Sequence, residues 1–167
     1  MSSRRQFLTI VATSSVLAPV VAWFGRAGES GGPSRTFPVQ RTDAEWRRRL
    51  SAEAYHVLRE RGTERPYSSP LHADHGPGRY HCAGCDAAVF DAAAKFDSKT
   101  GWPSFVRPVE RSAVETALDR RDYQVRTEVL CAQCGGHLGH VFPDGPPPTG
   151  LRYCLNGVAL RFEPDRV

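Results

Sequence analysis

Residues 150–162 have the sequence GLRYCLNGVALRF, and their alternating large apolar side chains predict a β-strand. The alternation shifts by one residue at Gly157, where we expect a β-bulge. Near the middle lies Cys154, the one cysteine of five outside a Cys-x-x-Cys pair. A single thiol between Arg152 and Asn156 is suited to chemistry at sulfur, whereas free cysteine in general is often a buried, unreactive hydrophobe. The stretch alone leaves both interpretations open.

The length of the chain and its charge limit the class of protein. A chain of 167 residues is long enough for one domain with a hydrophobic core. The formal net charge is +4, but three of the 22 basic side chains lie in residues 1–27, which hold no acid. Residues 28–167 therefore carry 19 basic and 18 acidic side chains, a net charge of +1. A domain with so little net charge is not expected to have a broad positive surface, and we therefore predict no nucleic-acid partner.

Residues 1–27 are typical of an export signal. The sequence RRQFL at residues 4–8 precedes a mostly apolar run over residues 9–24, and small residues follow. Arg-Arg followed by Phe-Leu resembles a twin-arginine signal, which predicts export to the periplasm or cell envelope. The alternative is an uncleaved membrane anchor, although Pro19 and nearby hydroxyl residues weaken a spanning helix. Contact with a membrane is expected only if this leader is retained.

Residues 28–41 are rich in Gly, Ser and Pro and predict a linker. Thr42 and Glu45 then have the spacing of a capping box, which predicts the start of a helix. Ser51 is suited to cap a second helix, with Gly62 at its carboxyl end. We expect a helical hairpin that covers a sheet.

The domain that spans residues 42–167 is predicted to be mainly β, because short strand patterns separated by turns begin at Tyr67. The predicted strands are residues 89–90, 113–118, 123–131, 137–142 and 152–162.

Cys82-Ala83-Gly84-Cys85 and Cys131-Ala132-Gln133-Cys134 are two similar cysteine pairs. Together they supply four thiolates, the ligand set of a tetrahedral zinc ion. Four thiolates leave no open coordination position, so the predicted zinc is structural. A redox Cys-x-x-Cys is disfavoured because that motif occurs singly in a βαβ unit. Two disulfides in an exported protein are the other alternative.

Two further motifs have more than one interpretation. Trp102 in the sequence GWPSF, residues 101–105, is an aromatic ring fixed at a turn and could be a core anchor. His137 and His140 could form a second metal site, a core pair or an acid–base pair. Side chains three apart on a strand point to opposite faces, so a turn or bulge at Gly139 is needed to bring the rings together.

Six blocks of the sequence, in chain order, resemble the methionine sulfoxide reductase B family. The blocks are ERPYSSPL (64–71), YHCAGC (80–85), GWPSF (101–105), RTEV (126–129), HLGHVFPDG (137–145) and RYCLN (152–156). The resemblance extends from about Thr42 to Phe162. It implies two antiparallel sheets in a small β domain, with structural zinc on the side away from the catalytic thiol. It also implies reduction of the R epimer of methionine sulfoxide, free or in proteins.

The same resemblance implies the role of each site residue. Cys154 is the nucleophile, and Trp102 forms the wall for the methyl group of the substrate. His137 and His140 lie beside the sulfoxide oxygen. The supporting residues are Arg152, Asn156 and Asp144.

Elementary chemistry agrees with these roles. Thiolate is the attacking species, and an ordinary cysteine pKa of about 8.5 leaves only a small ionised fraction at neutral pH. Sulfoxide oxygen leaves only after protonation, and a histidine can deliver that proton. Methionine then departs and Cys154 is left as a sulfenic acid.

One position departs from the common pattern of the family. Many members have a resolving cysteine where this chain has Thr100. With four cysteines assigned to zinc, we expect an external thiol, from a thioredoxin-like protein or another reductant, to regenerate Cys154. The competing hypotheses are a zinc-stabilised binding module with a structural Cys154, and a nucleic-acid-binding zinc protein.

Overall fold

A computed structural model of the protein describes residues 35–73, 76–121 and 123–166. The predicted export signal and the first part of the predicted linker lie outside the described residues. Over residues 35–41, the rest of the predicted linker, the chain contacts the domain, because the N–H of Val39 donates to the carbonyl of Gln133 at 2.7 Å. None of the helices in the described part of the chain is long and apolar enough to cross a membrane.

Both predicted helices are present, α1 at Asp43–Arg49 and α2 at Ala52–Glu60. Thr42 and Glu45 form the predicted capping box, in which the carboxylate of Glu45 accepts the N–H of Thr42 at 2.7 Å. Ser51 caps α2 by accepting the N–H of Ala54 at 3.1 Å. These side chains satisfy N–H groups that a helix leaves free at its start.

The carboxyl end of α2 differs from the prediction. The left-handed residue that ends the helix is Arg61, with φ 60°, and Gly62 follows it. Arg61 adopts this uncommon conformation while its guanidinium forms an ion pair with Glu128 at 3.1 Å.

In the described part of the chain, nine strands form two antiparallel sheets, as the resemblance implies. The strands are β1 Gly78–Cys82, β2 Ala88–Asp91, β3 Lys95–Phe96, β4 Ser104–Phe105, β5 Val114–Asp119, β6 Arg126–Cys131, β7 His137–Phe142, β8 Arg152–Leu155 and β9 Leu160–Pro164. The strand order is β2-β1-β9 in the small sheet and β3-β4-β8-β7-β6-β5 in the large one. Short 3-10 turns occur at Pro70–His72, Ala92–Ala94, Arg111–Ala113 and Gly157–Ala159.

The single strand predicted over residues 152–162 is wrong. The stretch contains β8 of the large sheet and β9 of the small sheet, joined by the 3-10 turn Gly157–Ala159. Gly157 therefore begins a turn and not a bulge. The carboxylate of Glu64 accepts the N–H groups of Gly157 and Val158, which favours the turn over a continuous ladder.

The strand predicted from residue 123 begins three residues later, at Arg126. Tyr123 has a left-handed φ of 58°, and Val125 is largely exposed. The pairing of β5 with β6 ends where Asp119 faces Arg126, so the alternation before Arg126 has no neighbouring strand.

Aromatic side chains fill the core. The ring of Phe105 lies 4.9 Å from Tyr80 and 4.7 Å from Phe90, and all three are fully buried. Phe105 belongs to the large sheet and the other two to the small one, so this cluster joins the sheets and contributes to stability by apolar burial.

Candidate active site and candidate metal centre

The four cysteines of the two Cys-x-x-Cys pairs lie together, with all sulfurs within 4.8 Å of one another. The Sγ atoms of Cys82 and Cys134 are 3.7 Å apart, and those of Cys85 and Cys131 are 3.6 Å apart. Four sulfurs around zinc, each at about 2.3 Å, lie roughly 3.8 Å apart, which fits these distances. All four cysteines are free, so the disulfide alternative does not describe this structure. The cluster could hold a metal ion.

The two cysteine turns are built in the same way. The N–H of Asp86 donates to the carbonyl of Cys82, and that of Gly135 to the carbonyl of Cys131, both at 2.8 Å. Asp86 and Gly135 both have a left-handed φ of 67°. Because Cys82 ends β1 and Cys131 ends β6, a bound ion would join the two sheets.

Hydrogen bonding among these sulfurs moves their pKa values in opposite directions. The pKa is lowered for Cys85 and Cys131, and it is raised for Cys82 and Cys134. Metal ligation needs deprotonated cysteines, so a bound cation would stabilise these four groups as thiolates.

Cys154 has different surroundings. It lies on β8 opposite Ser104 of β4 and His140 of β7. Burial raises the pKa of its thiol, although the charge of Arg152 and hydrogen bonds from Thr100, Ser104 and Arg152 act in the opposite direction. The resting group is therefore a half-buried thiol beside a cation.

Three hydroxyl groups form a chain next to this thiol. The Oγ of Ser98 is 2.8 Å from the hydroxyl of Thr100 and 2.7 Å from that of Ser104. Thr100, at the position of the family's resolving cysteine, thus presents a hydroxyl that acts to lower the pKa of Cys154. Neither Ser98 nor Ser104 was predicted from the sequence, where their only signal is the run of hydroxyl residues around Thr100.

A bulge next to Gly139 lies between the two histidines; the sequence required a turn or bulge at Gly139, and the extra residue is Leu138. The register between β6 and β7 shifts so that Leu130 faces His137 while Val129 faces Gly139. The rings of His137 and His140 are consequently 5.2 Å apart. A Cβ atom on residue 139 would clash with the carbonyl oxygen of Cys154, so only glycine allows β7 this close to β8.

His137 is held by a buried carboxylate. Its Nδ1 is 2.7 Å from Oε1 of Glu128, and each side chain is 1% exposed. Burial alone would raise the pKa of Glu128, but the hydrogen bond with His137 and the charges of His137 and Arg61 hold it below its ordinary value. An ionised Glu128 accepts the Nδ1–H of His137. The Nε2 of His137 is buried and has no hydrogen-bond partner within the described part of the chain.

His140 is held in the opposite orientation. Its Nε2 is 2.8 Å from Oδ2 of Asp119, which also pairs with Arg121 and Arg126. The hydrogen bonds from Arg121 and His140 hold the pKa of Asp119 far below its ordinary value, despite burial. Burial lowers the pKa of His140 even though Asp119 opposes this. His140 is therefore a neutral imidazole that donates its Nε2–H to Asp119.

Neither Glu128 nor Asp119 was predicted as a site residue from the sequence. Glu128 belongs to the RTEV block. It is an acidic residue within a predicted strand, and its position is directly opposite His140. Asp119 lies on β5, which is separated from β7 by β6, so no sequence pattern predicts its contact with His140.

Arg152 is fixed beside Cys154. Its guanidinium donates two hydrogen bonds to Asp144, at 2.9 and 2.8 Å, and lies 4.5 Å from the centre of the Phe142 ring. The side chain of Asp144 is 57% exposed. Asp144 is therefore linked to Cys154 through Arg152.

Trp102 and Asn156 are both attached to the loop that contains Glu64. The Nε1–H of Trp102 donates to the carbonyl of Glu64 at 3.2 Å, and the amide oxygen of Asn156 accepts its N–H at 2.9 Å. Asn156 also donates to the carbonyl of Leu138 at 3.1 Å. The ring of Trp102 is half-buried, whereas the core aromatics are fully buried.

Known proteins resemble this chain over most of its length. The SelR domain family matches residues 50–164. The "Peptide methionine sulfoxide reductase MsrB" of Agrobacterium fabrum is 55% identical over 126 residues, which are 75% of this chain and 93% of the relative. That of Bradyrhizobium diazoefficiens is 56% identical, over 75% of this chain and 91% of the relative. That of Thiobacillus denitrificans is 54% identical, over 74% of this chain and 94% of the relative. The chain therefore belongs to the methionine sulfoxide reductase B family, which carries the SelR domain.

Proposed function

We propose that the protein reduces the R epimer of methionine sulfoxide, in proteins or free, to methionine. The observation that carries this proposal is the pairing of Cys154 with His140 across β8 and β7, beside Arg152, in a chain about 55% identical to named MsrB relatives. A cation beside a thiol favours the thiolate, and the imidazole pair that begins at His140 supplies the acid–base group.

In the first step the thiolate of Cys154 attacks the sulfoxide sulfur, and the oxygen is protonated. The oxygen passes to Cys154, which becomes a sulfenic acid as its sulfur loses two electrons. The sulfoxide sulfur gains those two electrons and leaves as a thioether. The half-buried Trp102 ring is the wall for the methyl group of the substrate.

We assign proton donation to His137. Its free Nε2 and the buried carboxylate at its Nδ1 suit a ring that is protonated transiently, because ionised Glu128 stabilises the imidazolium. His140 donates its Nε2–H to Asp119 and has a lowered pKa, so it acts as a neutral group.

Regeneration uses an external reductant. A first thiol condenses with the sulfenic acid, which releases water and leaves a mixed disulfide. A second thiol then releases the Cys154 thiol and carries away the disulfide. Thr100 next to Cys154, together with four cysteines clustered elsewhere, supports a route without an internal resolving cysteine.

Zinc is the ion that suits the four-cysteine cluster, given its tetrahedral spacing and all-sulfur ligand set. Cys82, Cys85, Cys131 and Cys134 would hold it, and its effect would be to join the two sheets. Elemental analysis of the purified protein should give one zinc per chain, and another metal or none would contradict this assignment.

The leader gives the proposed location, the periplasm or cell envelope. Replacing Arg4 and Arg5 by lysine should leave the protein in the cytoplasm of a host with a twin-arginine pathway. Unchanged export would contradict the twin-arginine assignment. Recovery of the whole chain in the membrane fraction would support the uncleaved anchor instead.

An assay with the separated epimers of methionine sulfoxide tests the activity. We expect consumption of the R epimer, in peptides and as the free amino acid, and none of the S epimer. After one turnover without reductant, a sulfenic acid trap should label Cys154 alone. Failure to consume the R epimer, with zinc and fold intact, would favour the binding module. An internal disulfide would contradict the external reductant.

A further inference from the structure

Glu64 lies outside the strands that carry the candidate site, but it forms hydrogen bonds with several residues of that site. It follows α2 in residues 61–68, a segment in which Arg65, Pro66 and Tyr67 are exposed. Such a surface segment has little apolar burial to hold it, so its hydrogen bonds decide where it lies.

The main chain of Glu64 binds two side chains of the site. Its N–H donates to Asn156, 92 residues away, and its carbonyl accepts from Trp102, 38 residues away. Two more contacts attach the same segment to the GWPSF block. The N–H of Tyr67 donates to the carbonyl of Gly101 at 2.8 Å, and its hydroxyl donates to the carbonyl of Lys99 at 3.0 Å.

The side chain of Glu64 binds the turn that follows β8. Its Oε1 accepts the N–H of Gly157 at 2.7 Å, and its Oε2 accepts that of Val158 at 2.9 Å. Each carboxylate oxygen therefore has its own donor, which is the strong, charge-assisted form of this contact. The turn lies three residues after Cys154 and connects the two sheets.

We propose that Glu64 is a positioning residue that sets the Trp102 ring relative to Cys154. Its carboxylate fixes residue 64 to the turn after β8, and its carbonyl then holds the indole of Trp102. The wall for the substrate is in this way tied to the strand that carries the nucleophile. This inference rests on the proposed role of Trp102 in binding methionine sulfoxide.

The first test compares Glu64→Ala and Glu64→Gln with Glu163→Gln, a control whose carboxylate pairs with Arg161 on β9. Glutamine has one acceptor oxygen in place of two, so Glu64→Gln should have an intermediate effect. For Glu64→Ala we expect KM for methionine sulfoxide to rise about tenfold with a smaller change in kcat, since the wall contributes mainly to binding. Glu163→Gln should match the wild type within about twofold. Equal kinetics in all four proteins would overturn the proposal.

A double-mutant cycle with Trp102→Phe separates positioning from general destabilisation. Phenylalanine has no Nε1–H, so the hydrogen bond from residue 102 to the carbonyl of Glu64 is lost. We expect the penalty of Glu64→Ala to fall from about tenfold to below about threefold in the Trp102→Phe background. An equal rise in KM in the Trp102→Phe background would overturn the proposal, because a purely structural effect of Glu64→Ala would be the same in both backgrounds.

Hydrogen exchange gives a readout that does not need activity. In Glu64→Ala, amide exchange should become faster in peptides that cover residues 99–105 and 155–160, and Glu163→Gln should leave both unchanged. Unchanged exchange in residues 99–105 would overturn the inference even if the enzyme is active. Faster exchange in a protein that does not consume methionine sulfoxide would uphold the Glu64 contact and reject the proposed function.

Discussion

The four cysteines of the cluster and Cys154 carry the same thiol group in opposite surroundings. Each clustered sulfur has another sulfur as neighbour, at 3.6 to 3.7 Å across the two turns. Cys154 instead has a guanidinium, two hydroxyls and an imidazole-bearing strand beside it. The neighbours, and not the residue type, decide that one set of thiols suits a metal and the other suits a sulfoxide.

The two sites also differ in how they are assembled. Each cysteine turn is closed by a hydrogen bond between residues four apart, so its form is local. The surroundings of Cys154 come from β4, β7 and β8, and the carboxylates that orient the histidines come from β5 and β6. Changes to the first site should therefore act on folding, and changes to the second on chemistry.

The largest effect is expected from Cys131→Ser. Structural zinc contributes about 10 kcal/mol or more to folding, which is comparable with the whole stability of a domain. The variant should therefore lose zinc and fail to fold. Elemental analysis and circular dichroism measure both results. A folded, zinc-free Cys131→Ser protein would show that the cluster is not structural.

Cys154→Ser is the matched change at the other site. We expect kcat/KM for the R epimer to fall by roughly 10³-fold or more, because serine is a far poorer nucleophile at neutral pH. Zinc content and melting temperature should match the wild type. A loss of zinc or of folding in this variant would place Cys154 among the structural cysteines.

Glu128→Gln tests the proton donor. Glutamine can still accept the Nδ1–H of His137, but it cannot stabilise the imidazolium, so kcat should fall about 10²-fold. The matched change Asp119→Asn acts on His140, which we propose stays neutral, and should cost less. Arg61→Ala removes the exposed partner of Glu128 and should cost under about threefold. A larger loss in Asp119→Asn than in Glu128→Gln would reverse the roles of the two histidines.

The contrast between local and distant contacts explains what the sequence could predict. The capping box at Thr42, the N-cap at Ser51, the cysteine pairs and the need for a turn or bulge near Gly139 follow from residues close in the chain, and all were predicted. Residues 152–162 were predicted as one strand because their apolar alternation is nearly continuous. The contact that interrupts it comes from Glu64, 93 residues away, which no local pattern reveals.

The candidate site was predictable in part for the same reason. The resemblance supplied Cys154 and the two histidines, and the structure brings His140 and Arg152 next to the thiol. It also gives Asp144 and Asn156 partners other than the sulfur. Glu128 and Asp119 were missed because a charged residue in a strand pattern is read as solvent-facing, whereas here both are buried and paired.

Arg152→Gln tests the cation beside Cys154. Burial raises the pKa of this thiol and Arg152 opposes the rise, so removing the charge should raise the pKa further. Thiolate is the reactive form, and the alkylation rate of Cys154 should therefore fall about three- to tenfold at neutral pH and recover at higher pH. Arg152→Lys keeps the charge but loses the two-fold bond to Asp144, and should have a smaller effect. An unchanged rate–pH curve in Arg152→Gln would exclude this role of the cation.

The smallest effect on the reduction step is expected from Thr100→Cys, which gives Cys154 the sulfur neighbour that it lacks. The Thr100 hydroxyl belongs to the chain of hydroxyls that includes Ser104, the residue opposite Cys154, so a thiol at position 100 should reach the sulfenic acid and displace water from it. The rate of the first turnover should change by less than about threefold, since the attacking thiol and its acid are untouched. The product should change completely, from trappable sulfenic acid in the wild type to a disulfide between residues 100 and 154, which intact mass and peptide mapping distinguish.

Thr100→Ser is the control and should keep the sulfenic acid. A Thr100→Cys protein that still accumulates sulfenic acid would mean that the two side chains are held apart, and the absence of a resolving thiol would then not explain the need for an external reductant.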